Sequence, residues 1–278
     1  MNCARRLVVI KGAGDLATGC AWRLIKSGFG VIMTELPQPL VVRRMVAFAE
    51  AVYAGSIRVE GIEAVLAENS EEALQLLNTG RVPVLVDPQT SVLNQIKPPV
   101  FIDAVMAKKN TGTKINDAPL VIGLGPGFTA GRDVHAVVET KRGHNLGRVL
   151  YQGEAAADTG APGAIMGFSA ERLLRAPANG VVEPLRNIGA LVEKGETLVL
   201  VGGIPLQAEI PGVIRGMIRA GVWAPTGMKI GDVDPRGVKE YCYSISDKAL
   251  AVGGAVLEAI CGYIFNNERK GINSCENN

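Results

Sequence analysis

"VVIKGAGDLATGCAWRL", Val8 to Leu24, decides how the first half of this chain is read. The apolar run "RLVVIK" is a strand, Gly12-Ala13-Gly14 is a tight turn, and "DLATGCAWRLIKSG" has helical spacing with Asp15 at its start. "FGVIMTEL" follows as a second strand ending at Glu35. Strand, turn, helix and strand within about thirty residues make a βαβ unit. Both strands are continuously apolar, as parallel strands covered on both faces are.

The turn carries the chemistry. Gly12, Gly14 and Gly19 form GxGxxxxG, a stretched version of the dinucleotide fingerprint GxGxxG. Gly12 allows the tight turn, and Gly14 lets a phosphate approach the backbone. The helix start adds free N–H groups and a positive dipole end. Glu35 lies 21 residues after Gly14, where an acidic side chain can bond ribose hydroxyls. Asp15 sets a carboxylate beside that anion site, unless it only caps the helix. Two readings stay open: a phosphate-bearing small molecule over the turn, or glycines used for packing alone.

Further along, "PLVVRRMVAFAEAVYAG" suits a helix with one buried face, and Arg43 and Arg44 either clamp phosphate or face water. "SEEALQLLNTG" is a helix running from Ser70 to a stop at Gly80. "RVPVLVD" and "PPVFIDAVMAK" are strands that bring Asp87, Asp103 and Lys108 to the sheet end where open α/β sheets bind ligands. "PLVIGLGPGFTAGRDVHAVVET" is a second glycine-rich segment. Gly125 and Gly127 suit a backbone nest for an anion. Arg132 and His135 follow, and could hold a cofactor or move a proton. "HAVVET" also alternates like a strand, which would make His135 structural.

In the second half, "GVVEPLRNIGALVEKGETL" from Gly180 and "GVIRGMIRAGVWAPTGMKI" from Gly212 repeat at a period of 32 residues. Apolar alternation and turn glycines predict short strands. The pattern resembles the barrel-sandwich hybrid of lipoyl and biotinyl domains. The hairpin "VLVGGIPLQAEI" holds no lysine, so swinging-arm chemistry has no carrier. In "MKIGDVDPRG", Lys229, Asp232, Asp234 and Arg236 form either a loop of internal ion pairs or a site edge facing the first domain. The fold class is therefore α/β: a Rossmann-like cofactor-binding domain over 1–170, a small all-β barrel-sandwich-hybrid-like domain over 171–237, and a C-terminal helix with a frayed polar tail over 238–278.

Composition narrows the function. At 5% aromatic content and a net charge of +2, no broad nucleic-acid face is expected. Five cysteines, with no CxxC pair and no signal peptide, predict reduced thiols in a cytoplasm. His135 and His144 are the only histidines, so no metal site of usual zinc spacing is expected. "ALAVGGAVLEAICGYIF", Ala249 to Phe265, spans about 25 Å as a helix and carries Glu258. It reads as a buried helix or one packed between subunits of a homo-oligomer, not a membrane span.

On "GAGDLATG", "MTELPQPLVVRRMVAFAEAVYAG", "GLGPGFTAGRDVHAVVETKRGHNLG", "DTGAPG" and "KIGDVDPRG", the chain resembles the YqeB family over about residues 5 to 262. That family is described as accessory proteins of selenium-dependent molybdenum hydroxylase systems. The opening unit is also similar to the xanthine dehydrogenase accessory proteins, which bind molybdenum cofactor and deliver it to the apo-enzyme. The resemblance implies a maturation factor holding a molybdopterin-type cofactor, with a molybdenum hydroxylase apo-enzyme as partner. It supplies no catalytic residue. The alternatives are an NAD(P)-dependent oxidoreductase with His135 as proton donor, and a non-catalytic assembly protein. A direct selenium carrier would want an activated thiol, and Cys20 is the nearest to the turn.

Overall fold

The computed structural model describes residues 6–158, 160 and 163–275, with side chains up to Asn266. Cys3, Thr159 and the side chain of Cys275 lie outside the described residues. In chain order the elements are β1 (Leu7–Lys11), α1 (Asp15–Lys26), β2 (Gly30–Glu35), α2 (Ala51–Ala54), β3 (Ser56–Val59), β4 (Ile62–Ala67), α3 (Ser70–Asn78), β5 (Val82–Val86), α4 (Val92–Ile96), β6 (Val100–Asp103), β7 (Leu120–Leu124), β8 (Thr129–Ala130), β9 (Ala136–Val138), β10 (Val149–Leu150) and β11 (Gly153–Glu154). Then come β12 (Leu173–Arg175), β13 (Gly180–Pro184), β14 (Leu191–Val192), β15 (Thr197–Val201), β16 (Ile204–Gln207), β17 (Gly212–Met217), β18 (Trp223–Ala224), β19 (Lys229–Asp234) and α5 (Asp247–Cys275).

The first body is a nine-stranded sheet in the order β10-β9-β7-β6-β1-β2-β5-β4-β3. Its interior pairs are parallel, while β3–β4 and β9–β10 at the two edges are antiparallel. The β3–β4 hairpin turns at Glu60-Gly61, where both residues have positive φ. β1 lies between β2 and β6, so the chain changes direction across the sheet at β1. The carboxyl ends of β1 and β6 therefore border a crevice.

The helix expected over "PLVVRRMVAFAEAVYAG" is absent. Two 3-10 turns, Arg44–Val46 and Phe48–Glu50, precede the single turn of α2. Val46, Ala47, Phe48 and Ala49 are all buried, so the segment has no wet face for a helix to present. Its amides bond outward instead: Phe48 N–H donates to Thr18 Oγ1 and Ala49 N–H to the Ala13 carbonyl.

α5 covers α1. Ala249, Val252, Val256 and Ile260 share one core with Leu16, Ala17, Cys20 and Leu24. The helices meet through glycine: a Cβ on Gly19 would stand 2.7 Å from Ala249 Cβ, and one on Gly253 2.7 Å from the Gly19 carbonyl oxygen. Among the described residues one stretch, Asp247–Asn266, is long and apolar enough to cross a membrane, and it is this core helix. The helix continues to Cys275, beyond Asn266 where fraying is expected.

The second body has its own core, which includes Leu174, Leu198, Ile214 and Ile230. Its strands form two four-stranded antiparallel sheets, β12-β19-β17-β14 and β16-β15-β13-β18. The 32-residue period recurs strand for strand: β13 with β17, β14 with β18, β15 with β19. β13 pairs with β18 and β14 with β17, so each repeat completes the other's sheet. The turn glycines match as well: Gly189 and Gly221 have φ of 87° and 83°, Gly195 and Gly227 86° and 82°.

The expected fold is thus corrected in both bodies. The first is a large mixed sheet with antiparallel edges, not a Rossmann-like parallel sheet, because the β3–β4 hairpin and the β9–β10 pair extend it. The second is a pair of separate antiparallel sheets, not a barrel-sandwich hybrid. The alternating pattern of short strands specifies antiparallel pairing but not how the sheets close.

Candidate functional site

The glycine turn is partly satisfied from within. Gly12 has φ +91°, and a Cβ there would meet the Ala104 backbone at 3.2 Å. Glu35 Oε2 accepts from Ala13 N–H at 2.8 Å, and Oε1 from Leu36 N–H at 2.8 Å. Glu35 is therefore engaged with the turn itself. Gly19 lies a turn and a half into α1, facing α5 rather than the crevice. Gly14 differs from both. Its φ of −65° suits any residue, and the nearest atom to a Cβ there is a Val41 methyl at 3.9 Å. It is the N-cap of α1, yet no side chain caps the helix. The start of α1 therefore lacks the side-chain partner that a capping residue gives the first-turn amides.

A dense set of charges surrounds this start. Arg43, one-tenth exposed, reaches Asp15 at 3.5 Å and donates to the Tyr241 and Ser244 carbonyls. Arg172 and Asp232 form a buried pair at 2.9 Å, and Asp234 takes both Arg236 (2.6 Å) and Arg215 (3.6 Å). Arg142 grips Asp247 at the start of α5 with two bonds of 2.7 Å. That fork holds the Asp247 carboxyl far below the usual carboxylate range. Arg44 and Arg219 both reach Glu50, which ties the second body to the first. So the "MKIGDVDPRG" loop is both an ion-pair cluster and the edge facing the first body.

Two lysines in this set have no ion-pair partner among the described residues: Lys229 at the start of β19 and Lys248 in the first turn of α5. Burial pushes both ammonium groups below the usual lysine value, and the Asp15 carboxylate opposes the shift in each. Lys229 is exposed, with the charges of Asp232, Arg172 and Asp15 acting on it. The Nε atoms of Arg43, Arg172 and Arg215 are buried without a partner among the described residues.

The second glycine segment packs tightly. A Cβ on Gly125 would stand 2.6 Å from Thr140 Oγ1, and one on Gly127 2.7 Å from the Lys109 backbone. Arg132 is exposed and forks onto Asp133. His135 Nδ1 accepts from Val121 N–H at 3.0 Å, and burial lowers its pKa. That imidazole is held by the sheet through Nδ1, and burial disfavours the protonated ring that a general acid needs. Cys20 is fully buried, and its thiol is pushed up to about 12, so it is inert at neutral pH. Among the described residues no group of three His, Cys, Asp or Glu side chains could hold a metal ion.

Sequence spacing missed Lys248, Arg142 and Arg215 as neighbours of the turn. They come from segments more than a hundred residues away, and only the packing of α5 and the second body brings them in.

No family model matches the chain. Over 255 residues, 92% of its length, it is 49% identical to "Uncharacterized protein YqeB" of Escherichia coli (strain K12). The chain is similar to YqeB. It spans 47% of YqeB's length, about half. The likeness supports the resemblance to the YqeB family and carries no selenium or molybdenum assignment. Solved structures that match include a succinylglutamate desuccinylase from Silicibacter sp. TM1040, at 12% identity over 84% of this chain and 85% of that one, with a TM-score of 0.25. An aspartoacylase family protein from Mesorhizobium loti matches at 11% identity over 82% and 84%, with a TM-score of 0.28. Scores this low transfer neither fold nor activity.

The molybdenum-cofactor maturation reading, with its selenium link, is corrected. The Glu35 carboxylate, placed by its spacing to hold a nucleotide ribose, is bonded to the turn itself. The NAD(P)-oxidoreductase alternative loses its proton donor in the same way, since His135 is committed to β7. The assembly-protein alternative, which needs every turn glycine to be structural, does not account for the open space at Gly14.

Proposed function

We propose that this chain binds a phosphate-bearing small molecule at the start of α1. The observation that carries this reading is the uncapped helix start at Gly14, with open space over it and two unpaired lysines beside Asp15. A Ser, Asp or Asn is the better N-cap, by roughly a few tenths of a kcal/mol over glycine. Glycine there forgoes that stability and leaves room for a ligand to reach the backbone. Lys229 and Lys248 would supply the charge that Arg142, Arg172 and Arg236, each occupied by a carboxylate, do not. The cytoplasm is the proposed compartment, supported by the free thiols of Cys20, Cys242 and Cys261.

The test is thermal unfolding of the full chain with inorganic pyrophosphate and with ATP. Binding raises the melting temperature by mass action. Gly14→Val fills the open space without straining the backbone and should remove the rise while the ligand-free melting temperature stays near wild type. A rise that survives both Gly14→Val and the Lys229→Met/Lys248→Met double variant would refute the reading.

A further inference from the structure

We infer that a second ligand site lies on the other face of the sheet, a polar cavity of about 380 Å³ that takes an uncharged polyhydroxylated molecule of the sugar or cyclitol class. It opens between the β5–α4 and β6–β7 connections, above the carboxyl ends of β1 and β6. Its lining includes Lys11, Thr90, Leu93, Asn94 and Asn116, with Phe101 buried against it. Lys11 lies two residues past Val9 on β1 and so shares its face, where Val9 belongs to the core, while α1 covers the opposite face. The inference is therefore independent of the phosphate reading.

Three observations make this a built site. First, Lys11 and Asp103 are register partners on neighbouring parallel strands. Asp103 is buried, and its Oδ2 accepts from Thr113 Oγ1 at 2.5 Å and faces Lys11 Nζ at 3.7 Å. Lys11 Nζ also donates to Thr111 Oγ1 at 3.0 Å. The ammonium is thus neutralised and fixed, with one of its three protons left over. Second, Thr90 is 4% exposed, and its Oγ1 has no partner among the described residues, which is costly for a buried hydroxyl. Third, Thr90 holds φ +55°, a strained conformation for a β-branched residue. Its own amide donates to the Asp87 carbonyl, and its carbonyl accepts from Leu93 N–H, so the strain is held by the loop.

The lining selects the ligand class. A hydroxyl group gives one hydrogen bond and takes others. Side-chain amides and a threonine hydroxyl do the same, and Gln89, Asn94, Asn116 and Thr90 are of this kind. A phosphate needs several unpaired donors, whereas Lys11 is paired and the other lysine of the lining, Lys114, has the Asp117 carboxylate beside it, bonded to its own amide.

The experiment is saturation-transfer NMR on the full chain with D-ribose, D-glucose and myo-inositol, followed by titration of the responding probe. Transfer to one of the three is expected. Thr90→Val keeps shape and backbone bonds but removes the orphan hydroxyl, and should weaken binding about tenfold. Asn94→Ala, on an exposed helix position, should do the same and serves if the first variant does not fold. No transfer to any probe, or transfer that both variants leave unchanged, overturns the inference.

Discussion

At Glu35 one carboxylate holds two backbone amides, Ala13 and Leu36, across the crest of β1 and β2. Such charge-assisted bonds are about twice as strong as neutral ones. Glu35→Ala leaves the Ala13 N–H without its partner in a partly buried place, and should cost about 1–3 kcal/mol in urea unfolding. A cost within about 0.5 kcal/mol would mean that water replaces the carboxylate and that Glu35 is free for other work. An acidic residue 21 positions past the turn is visible in the sequence, but its job is not. The same spacing serves a ribose or the turn's own amide, and only the rotamer separates them.

Helix α1 shows what periodicity can and cannot say. The strand, turn and helix of the opening unit were legible because apolar runs, glycine and Asp15 agree locally. The spacing also made Gly19 the third glycine of a binding fingerprint. In the structure it is where α1 and α5 touch, a contact between residues about 230 apart that no local pattern encodes. Gly19→Val should therefore destabilise by about 1–3 kcal/mol through overpacking, read as a lower melting temperature with or without pyrophosphate. Gly14→Val, five residues earlier, should leave that temperature alone. Equal losses from the two would merge turn and helix contact into one structural unit. The segment after β2 was misread for a related reason. Its apolar residues predict burial correctly, but burial on all sides permits irregular turns as well as a helix.

Across the whole molecule, two lysines with lowered pKa set a pH dependence of definite sign. Their unfolded value is the ordinary 10.5, and the folded value is lower. Between the two the unfolded chain binds more protons, so stability rises with pH through that window. Below it both lysines are charged in the folded and unfolded chain alike, and the slope from this pair vanishes. Anion affinity should move the opposite way, falling as Lys229 and Lys248 lose their protons. Denaturation and pyrophosphate titration from about neutral pH to about pH 10 read both slopes. Parallel slopes would detach the lysines from the site. The joint between α1 and α5 also has a consequence for synthesis. A ribosome adding about 5–20 residues per second needs on the order of ten to fifty seconds to pass from Gly19 to Ala249. For that interval the first sheet waits with the apolar face of α1 bare, until α5 emerges to cover it.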